Sequence, residues 1–179
     1  MSAFSQKTET MNTQEPHTIP FSPRAICRSA GLPLENAAAP WKTLQCAHNR
    51  YCALTHTLAL RTAGGDVAAV WLDAGVEADV AAAWQHSPER AFWLHAVAQT
   101  VCMKLVAALV PEVVTLGCAP LPIPKPELLT ALQNIGLSCT SGQTWLCERQ
   151  YAVITPMPYV GGCEICALSA TCPGPRLTV

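Results

Sequence analysis

The sequence predicts an α+β fold, with α/β as the alternative, in which a small mixed sheet packs on a buried central helix and a Cys-rich loop ends the chain. Two apolar runs, Leu54–Arg61 and Val67–Leu72, flank the Gly-rich residues 63–66, a pattern typical of a β-hairpin. Residues 87–110 follow a helical pattern that is apolar on nearly all sides, which indicates burial. The chain from Val113 to Ile154 then predicts a strand, a helix and a second strand.

Capping residues mark the helices of the first half of the chain. Ser22-Pro23 and Gly31 are the start and stop signals of a short helix. The Ala-rich residues 75–85 predict a second helix. Ser87 as N-cap and Pro88 in the first turn begin the central helix, which therefore has a sharp N-terminal boundary.

The second half is predicted from shorter patterns. The β-branched residues 113–118 and the apolar residues 145–154 predict strands, and residues 126–135 predict a helix that stops at Gly136. Ser141-Gly142 is a candidate hairpin turn between the helix and the last strand. A β-α-β unit results if the two strands are parallel, whereas a hairpin at Ser141-Gly142 would reverse the last strand.

Composition limits the classes of protein that this chain can belong to. Residues 1–20 are polar and predict a disordered arm, residues 21–160 suffice for one α+β domain, and residues 161–179 form a Cys-rich tail packed on it. Half of the residues are hydrophobic and only 13% are charged, so we expect a protein partner or a homo-oligomer to cover part of the surface. A net charge of −1 without a Lys/Arg run argues against nucleic-acid binding.

The cellular compartment follows from the N-terminus and from the central helix. The first residues lack a secretory signal pattern, so we expect a cytoplasmic protein whose ten cysteines are reduced rather than paired as five disulfides. The central helix is long enough to span a membrane, but His95, Gln99 and Lys104 would be costly in lipid. We therefore expect a soluble core helix and no membrane span.

The strongest chemical signal is the tail sequence C-x2-C-x5-C formed by Cys163, Cys166 and Cys172. Two cysteines separated by two residues can place both sulfurs on one metal or cluster. Gly161-Gly162 before them permits a tight turn, and Pro173 after them cannot continue a helix. The three cysteines are therefore predicted ligands of one metal centre.

A fourth ligand must come from upstream, because zinc and iron–sulfur centres usually have four protein ligands. Cys118 is the preferred candidate, since ligands favour the carboxyl edge of parallel strands and Cys118 ends the first predicted strand. Cys147 would lie toward the opposite edge, and the argument fails if the last strand reverses. The other candidates are Cys147, Cys139, Cys52, Cys46 and, more weakly, His48.

The tail resembles the iron–sulfur loop of DNA glycosylases of the endonuclease III and MutY type, C-x6-C-x2-C-x5-C, and the C-x2-C-x5-C end of RecB-like nucleases with a remote first cysteine. The resemblance covers the ten residues Cys163–Cys172. Pro156 stands where the glycosylase pattern has a cysteine, and Glu148-Arg149-Gln150 lacks the lysine of the nuclease motif. The resemblance thus implies a [4Fe–4S] cluster without implying either DNA chemistry.

Three functional hypotheses follow. The first is an iron–sulfur protein with an electron-transfer or structural role beside a larger redox partner; one C-x-x-C knuckle instead of two favours iron–sulfur over zinc. The second is a zinc-stabilised interaction module. The third is an enzyme with a cluster-supported pocket or a Cys/His nucleophile near Cys46, His48 and Cys52, although no phosphate-binding, dinucleotide or hydrolase motif is present.

Overall fold

A computed structural model describes residues 10–11, 19–33, 40–62, 65–141, 145–159, 162–170 and 172. Within them the helices are α1 (Pro23–Ser29), α2 (Trp41–Cys52), α3 (Ala74–His86), α4 (Pro88–Leu109), α5 (Glu112–Leu116) and α6 (Pro126–Asn134). The strands are β1 (Thr10–Met11), β2 (Thr55–Thr62), β3 (Gly65–Leu72), β4 (Cys139–Ser141), β5 (Trp145–Cys147) and β6 (Ala152–Pro156). The predicted α+β class is confirmed.

The main sheet has the strand order β1-β2-β3-β6, and each of its neighbouring pairs is antiparallel. Strands β4 and β5 form a separate antiparallel hairpin. The predicted β2–β3 hairpin is confirmed, although its turn residues 63 and 64 lie outside the described residues. The predicted Ser141-Gly142 turn also lies partly outside them, but the antiparallel pairing of β4 with β5 is the reversal that such a turn produces.

The prediction of a strand at residues 113–118 is wrong. Residues 113–116 belong to helix α5, and Gly117 ends this helix in a left-handed conformation with a φ of 67°. The preceding Pro111 and the acidic Glu112 suit the first turn of a helix, and this local signal prevails over the β-branched pair that follows. The predicted strand 145–154 is likewise divided into β5 and β6, so the expected parallel β-α-β unit is replaced by antiparallel pairing.

The main sheet is covered on both faces. Alternate residues of β3 point to opposite faces and therefore join different cores. Ala68, Val70 and Leu72 join the core formed with helices α1 to α4. Val67 and Ala69 join a second core, which contains residues of α6 and the half-buried cysteines of the β4–β5 hairpin. The architecture is therefore three layers: four helices, the sheet, and α6 with the small hairpin.

Helix α4 lies at the centre of the larger core, as predicted. The Ser87 hydroxyl accepts a 3.3 Å hydrogen bond from the amide of Arg90 and caps the helix. Cys102 packs in the core as expected, and its buried thiol donates to the carbonyl of Tyr151 at 3.4 Å. Among the described residues, α4 is long and apolar enough to cross a membrane by length and composition, and 56% of its most apolar window is buried inside the protein.

Helix α2 was missed by the sequence patterns. Its buried residues Leu44, Ala47, His48 and Tyr51 follow the spacing i, i+3, i+4 and i+7 of a helix face. The stripe is hidden in the sequence because a histidine and a tyrosine occupy two of its four positions. His48, a weak candidate ligand in the sequence, is thus on the buried face of α2, with 1% exposure.

Two parts of the predicted arm, residues 10–11 and 19–20, are among the described residues, and Ile19 packs against the larger core. Thr10–Met11 pair with Leu60 and Ala59 at the edge of the sheet. The rest of the predicted disordered arm up to residue 18 lies outside the described residues, as do residues 173–179 of the tail.

Candidate metal centre

The C-terminal cysteines lie on a tightly turned segment after strand β6. One turn of 3-10 helix spans Cys163–Ile165, and the amide of Cys166 donates to the carbonyl of Cys163 at 3.3 Å. The amide of Cys172 donates to the carbonyl of Leu168 at 2.8 Å. These turns hold the three predicted ligands on one compact stretch of chain.

Cys118 approaches this segment from the end of helix α5. Beyond Gly117 the chain runs without regular structure to α6, and the carbonyl of Leu121 in this loop accepts a 2.8 Å hydrogen bond from the amide of Ala167. The loop that carries Cys118 is therefore tied directly to the residue that follows Cys166. This backbone contact brings the predicted fourth ligand and the tail into one neighbourhood.

Electrostatic effects between the four thiols agree with this proximity. Burial raises the pKa of Cys118, and the negative charges of Cys166, Cys172 and Cys163 raise it further. Burial and several of the same charges also raise the pKa of Tyr159. The charge effects therefore act between the two segments that the Ala167–Leu121 hydrogen bond joins.

Among the described residues, the cysteines of the two segments do not form a coordination shell. In the part of the chain that the structure describes, no three His, Cys, Asp or Glu side chains converge closely enough to hold a metal ion. The donor set itself suits a metal, because four thiolates are the ligands of both iron–sulfur clusters and structural zinc sites. Thiolates that repel one another become ligands once a cation lies between them, and metal binding releases their protons.

The other upstream cysteines have different partners. Cys139 and Cys147 face each other across the β4–β5 hairpin. Cys52 lies beside His48 on α2, with 3.7 Å from its sulfur to each ring nitrogen, and Cys46 is exposed on the same helix. These surroundings favour Cys118 as the fourth ligand, although the parallel strand edge from which it was predicted is absent from this part of the structure.

The Cys52–His48 contact is that of a packed pair and not of an activated nucleophile. Burial raises the pKa of Cys52 and lowers the pKa of His48, so both side chains are neutral near pH 7. A nucleophilic cysteine needs the opposite, a lowered pKa and an exposed sulfur. Phe21 covers the imidazole edge-on, with 5.5 Å between ring centroids.

Replacing His48 with glutamine should reduce the loss of stability at acid pH. Folding lowers the pKa of His48 from its ordinary value of 6.5, so the unfolded chain binds the proton more strongly. Stability therefore falls as pH drops through 6.5 towards the folded-state pKa, and this penalty is absent above 6.5. Urea unfolding of the parent and of the variant at about pH 7.5 and about pH 5 measures this loss of stability. Equal acid sensitivity in the parent and in the variant would contradict this origin.

The acidic residues near β3 and α3 have structural roles. Asp73 caps α3 by accepting a 2.7 Å hydrogen bond from the amide of Gly75. Glu77 accepts from the amide of Gln150 at 2.7 Å and pairs with Arg149 at 3.5 Å.

A cleft of about 390 Å³ opens beside the tail. Ile165 and Pro122 contribute to its wall from the two cysteine-bearing segments, while Asp66 and Lys125 bring charges of opposite sign. Its lining is otherwise mainly apolar, which is the usual character of a small-molecule site. The cleft lies at the end of the sheet, where β6 leads into the tail.

Two residues of this region escaped the sequence patterns. Tyr159 lies within the electrostatic reach of the thiols, and Leu121 anchors the tail through its carbonyl. Tyr159 precedes Cys163 by only four positions, which is a usable signal. Leu121 acts through its backbone carbonyl, which every residue has, so its side chain gives no signal in the sequence.

No protein-family model, curated protein or solved structure matches this chain. The resemblance of the tail to cluster-binding loops is thus one of spacing alone. Function must be inferred from the chemistry of the site.

Proposed function

We propose that this protein binds an iron–sulfur cluster, of the [4Fe–4S] type, through Cys118, Cys163, Cys166 and Cys172, and that it serves in electron transfer or as a structural accessory of a larger redox protein. The observation that carries the proposal is that the two cysteine-bearing segments, 118–121 and 163–172, are joined by the Ala167–Leu121 hydrogen bond. When bound, such a cluster exchanges single electrons or cross-links the segments that hold it.

The protein's own residues would position the centre. The 3-10 turn at Cys163–Ile165 would space the first two ligands, and the turn in which the Cys172 amide donates to the Leu168 carbonyl would bring back the third. Cys163 and Cys172 are exposed, and Cys118 and Cys166 are half-buried. Solvent exposure is one of the factors that set the potential of a cluster.

Exposed apolar side chains on the segments around the cysteines support the proposal of a protein partner. Of the six large apolar side chains that are exposed among the described residues, four belong to segments beside the cysteines. They are Val114, Leu116, Ile123 and Leu168. An apolar surface next to a redox centre suits docking of a protein partner or of a second copy of the chain, since electrons transfer efficiently only over short distances. We therefore propose a redox partner at this surface. The proposal of a cytoplasmic protein rests separately on the missing secretory signal pattern.

The cleft beside the tail supports a second candidate function. An enzyme could bind a small apolar ligand between Ile165, Pro122 and Leu128, with Lys125 available for an acidic group. The cluster would then support the wall of this cleft. Replacing the exposed Lys125 with glutamate would reverse the charge offered to such a group, so an enzyme should lose substrate binding while an electron carrier should keep its metal centre.

Anaerobic purification should yield a brown protein with about four iron and four sulfide per chain. Its broad visible absorption, from charge transfer between thiolate or sulfide and iron, should bleach on reduction by dithionite. A colourless protein with one zinc per chain would instead establish the zinc-stabilised interaction module. A protein that binds neither metal from anaerobic reconstitution would refute the metal centre altogether.

A further inference from the structure

Cys139 and Cys147 are direct cross-strand neighbours in the β4–β5 hairpin. The amide of Glu148 donates to the carbonyl of Ser138 at 3.0 Å, which makes the adjacent pair Ser138/Glu148 a hydrogen-bonded one. Since the two kinds of pair alternate, Cys139 and Cys147 occupy a non-hydrogen-bonded position. There the Cα atoms of opposed residues are about 4.5 Å apart, at the short end of the range that a disulfide spans.

The side chains of this pair lie on the same face of the hairpin, because directly opposed residues of an antiparallel pair point to the same side. Both cysteines are free and half-buried, so small solutes can reach them while their backbones are held by the strand pairing. They pack against the second core, which includes Leu132 and Leu137.

We propose that Cys139 and Cys147 form a reversible cross-strand disulfide, a redox-responsive site that is separate from the metal centre. The oxidant is a small-molecule disulfide of the glutathione type. The Cys147 thiolate attacks one sulfur of it, its S–S bond breaks, and one small thiol leaves after taking up a proton. The Cys139 sulfur, deprotonated in turn, attacks the mixed disulfide at Cys147 and expels the second small thiol. Two protein thiols are thus oxidised and one external disulfide is reduced to two thiols.

Cys139 is assigned the second step because its thiol gives up its proton less readily than an ordinary thiol: burial, and then the facing Cys147, raises its pKa. Closure by Cys139 is still efficient because the strand pairing holds it opposite Cys147. Oxidation would cross-link β4 to β5 beside α6, and a thiol reductant would release them.

The test equilibrates the full-length protein with glutathione buffers of increasing disulfide content, quenches with acid and alkylates the remaining thiols. Chymotrypsin then cleaves after Trp145 or Leu146, between the two cysteines in the sequence. We expect the two resulting peptides to remain joined, lighter by two hydrogen atoms than their sum, and to separate on addition of dithiothreitol. Alkylation of both cysteines across the whole buffer series would overturn the proposal.

Variants show whether the linkage is specific. Cys139→Ser should accumulate glutathione on Cys147 without joined peptides, whereas Cys46→Ser, on the exposed face of α2, should leave the joined pair intact. Joining of either peptide to Cys118 or to the tail would overturn the assignment. Because the parent protein alone reports the linkage, the test does not depend on the folding of any variant.

Discussion

Replacing Cys118 with alanine should lower the bound iron and the visible absorption of the anaerobically purified protein to background. A [4Fe–4S] cluster with a missing thiolate ligand has an open iron site, which makes it labile. The same loss is expected for Cys163→Ala, because Cys163 supplies one sulfur of the C-x-x-C pair. Iron, sulfide and the visible spectrum, each per folded chain, are the measurements.

The matched control is Cys147→Ala. Cys147 and Cys118 are both half-buried, free cysteines outside the tail, but Cys147 is paired with Cys139 instead of with the tail thiols. The control should therefore retain its full metal content. If Cys118→Ala kept its iron while Cys163→Ala lost it, the tail would still be a metal site, but its fourth ligand would have to be sought elsewhere.

Replacing Leu94 with alanine should destabilise the protein by about 2–5 kcal/mol. Leu94 is 1% exposed on α4, in the core shared by helices α1 to α4 and one face of the sheet. The truncation removes buried methyl groups and leaves a cavity that the surrounding helices cannot fully close. A lower midpoint of urea unfolding, with an unchanged slope, is the expected result.

Leu116→Ala is the matched control for this prediction, because the same side chain is truncated where it is 51% exposed. Its effect should stay within about 0.5 kcal/mol, as for most surface substitutions. Both variants are best compared without metal, since a bound cluster would stabilise the folded state by itself. Equal destabilisation by the two changes would contradict the placement of α4 at the centre of the core.

Elements with strong local signals were predicted correctly. The Ser87-Pro88 start of α4, the Gly31 and Gly136 stops and the pairing of β2 with β3 follow from signals in neighbouring residues. Residues 113–118 were mistaken for a strand because a short β-branched run is compatible with either state. Helix α2 was missed because its buried face includes His48 and Tyr51, which a hydrophobic pattern does not count.

The sequence by itself determined the three tail cysteines as a candidate ligand set, because their spacing acts within one short turn of chain. It also determined the central helix, whose apolar residues cover nearly all of its sides. Only the tertiary structure decided which upstream cysteine adjoins the tail, and which two cysteines face each other in the hairpin. Both depend on contacts between segments distant in sequence: the hydrogen bond from Ala167 to Leu121 and the register of β4 on β5. Such contacts follow from the packing of the whole chain, which no local pattern encodes.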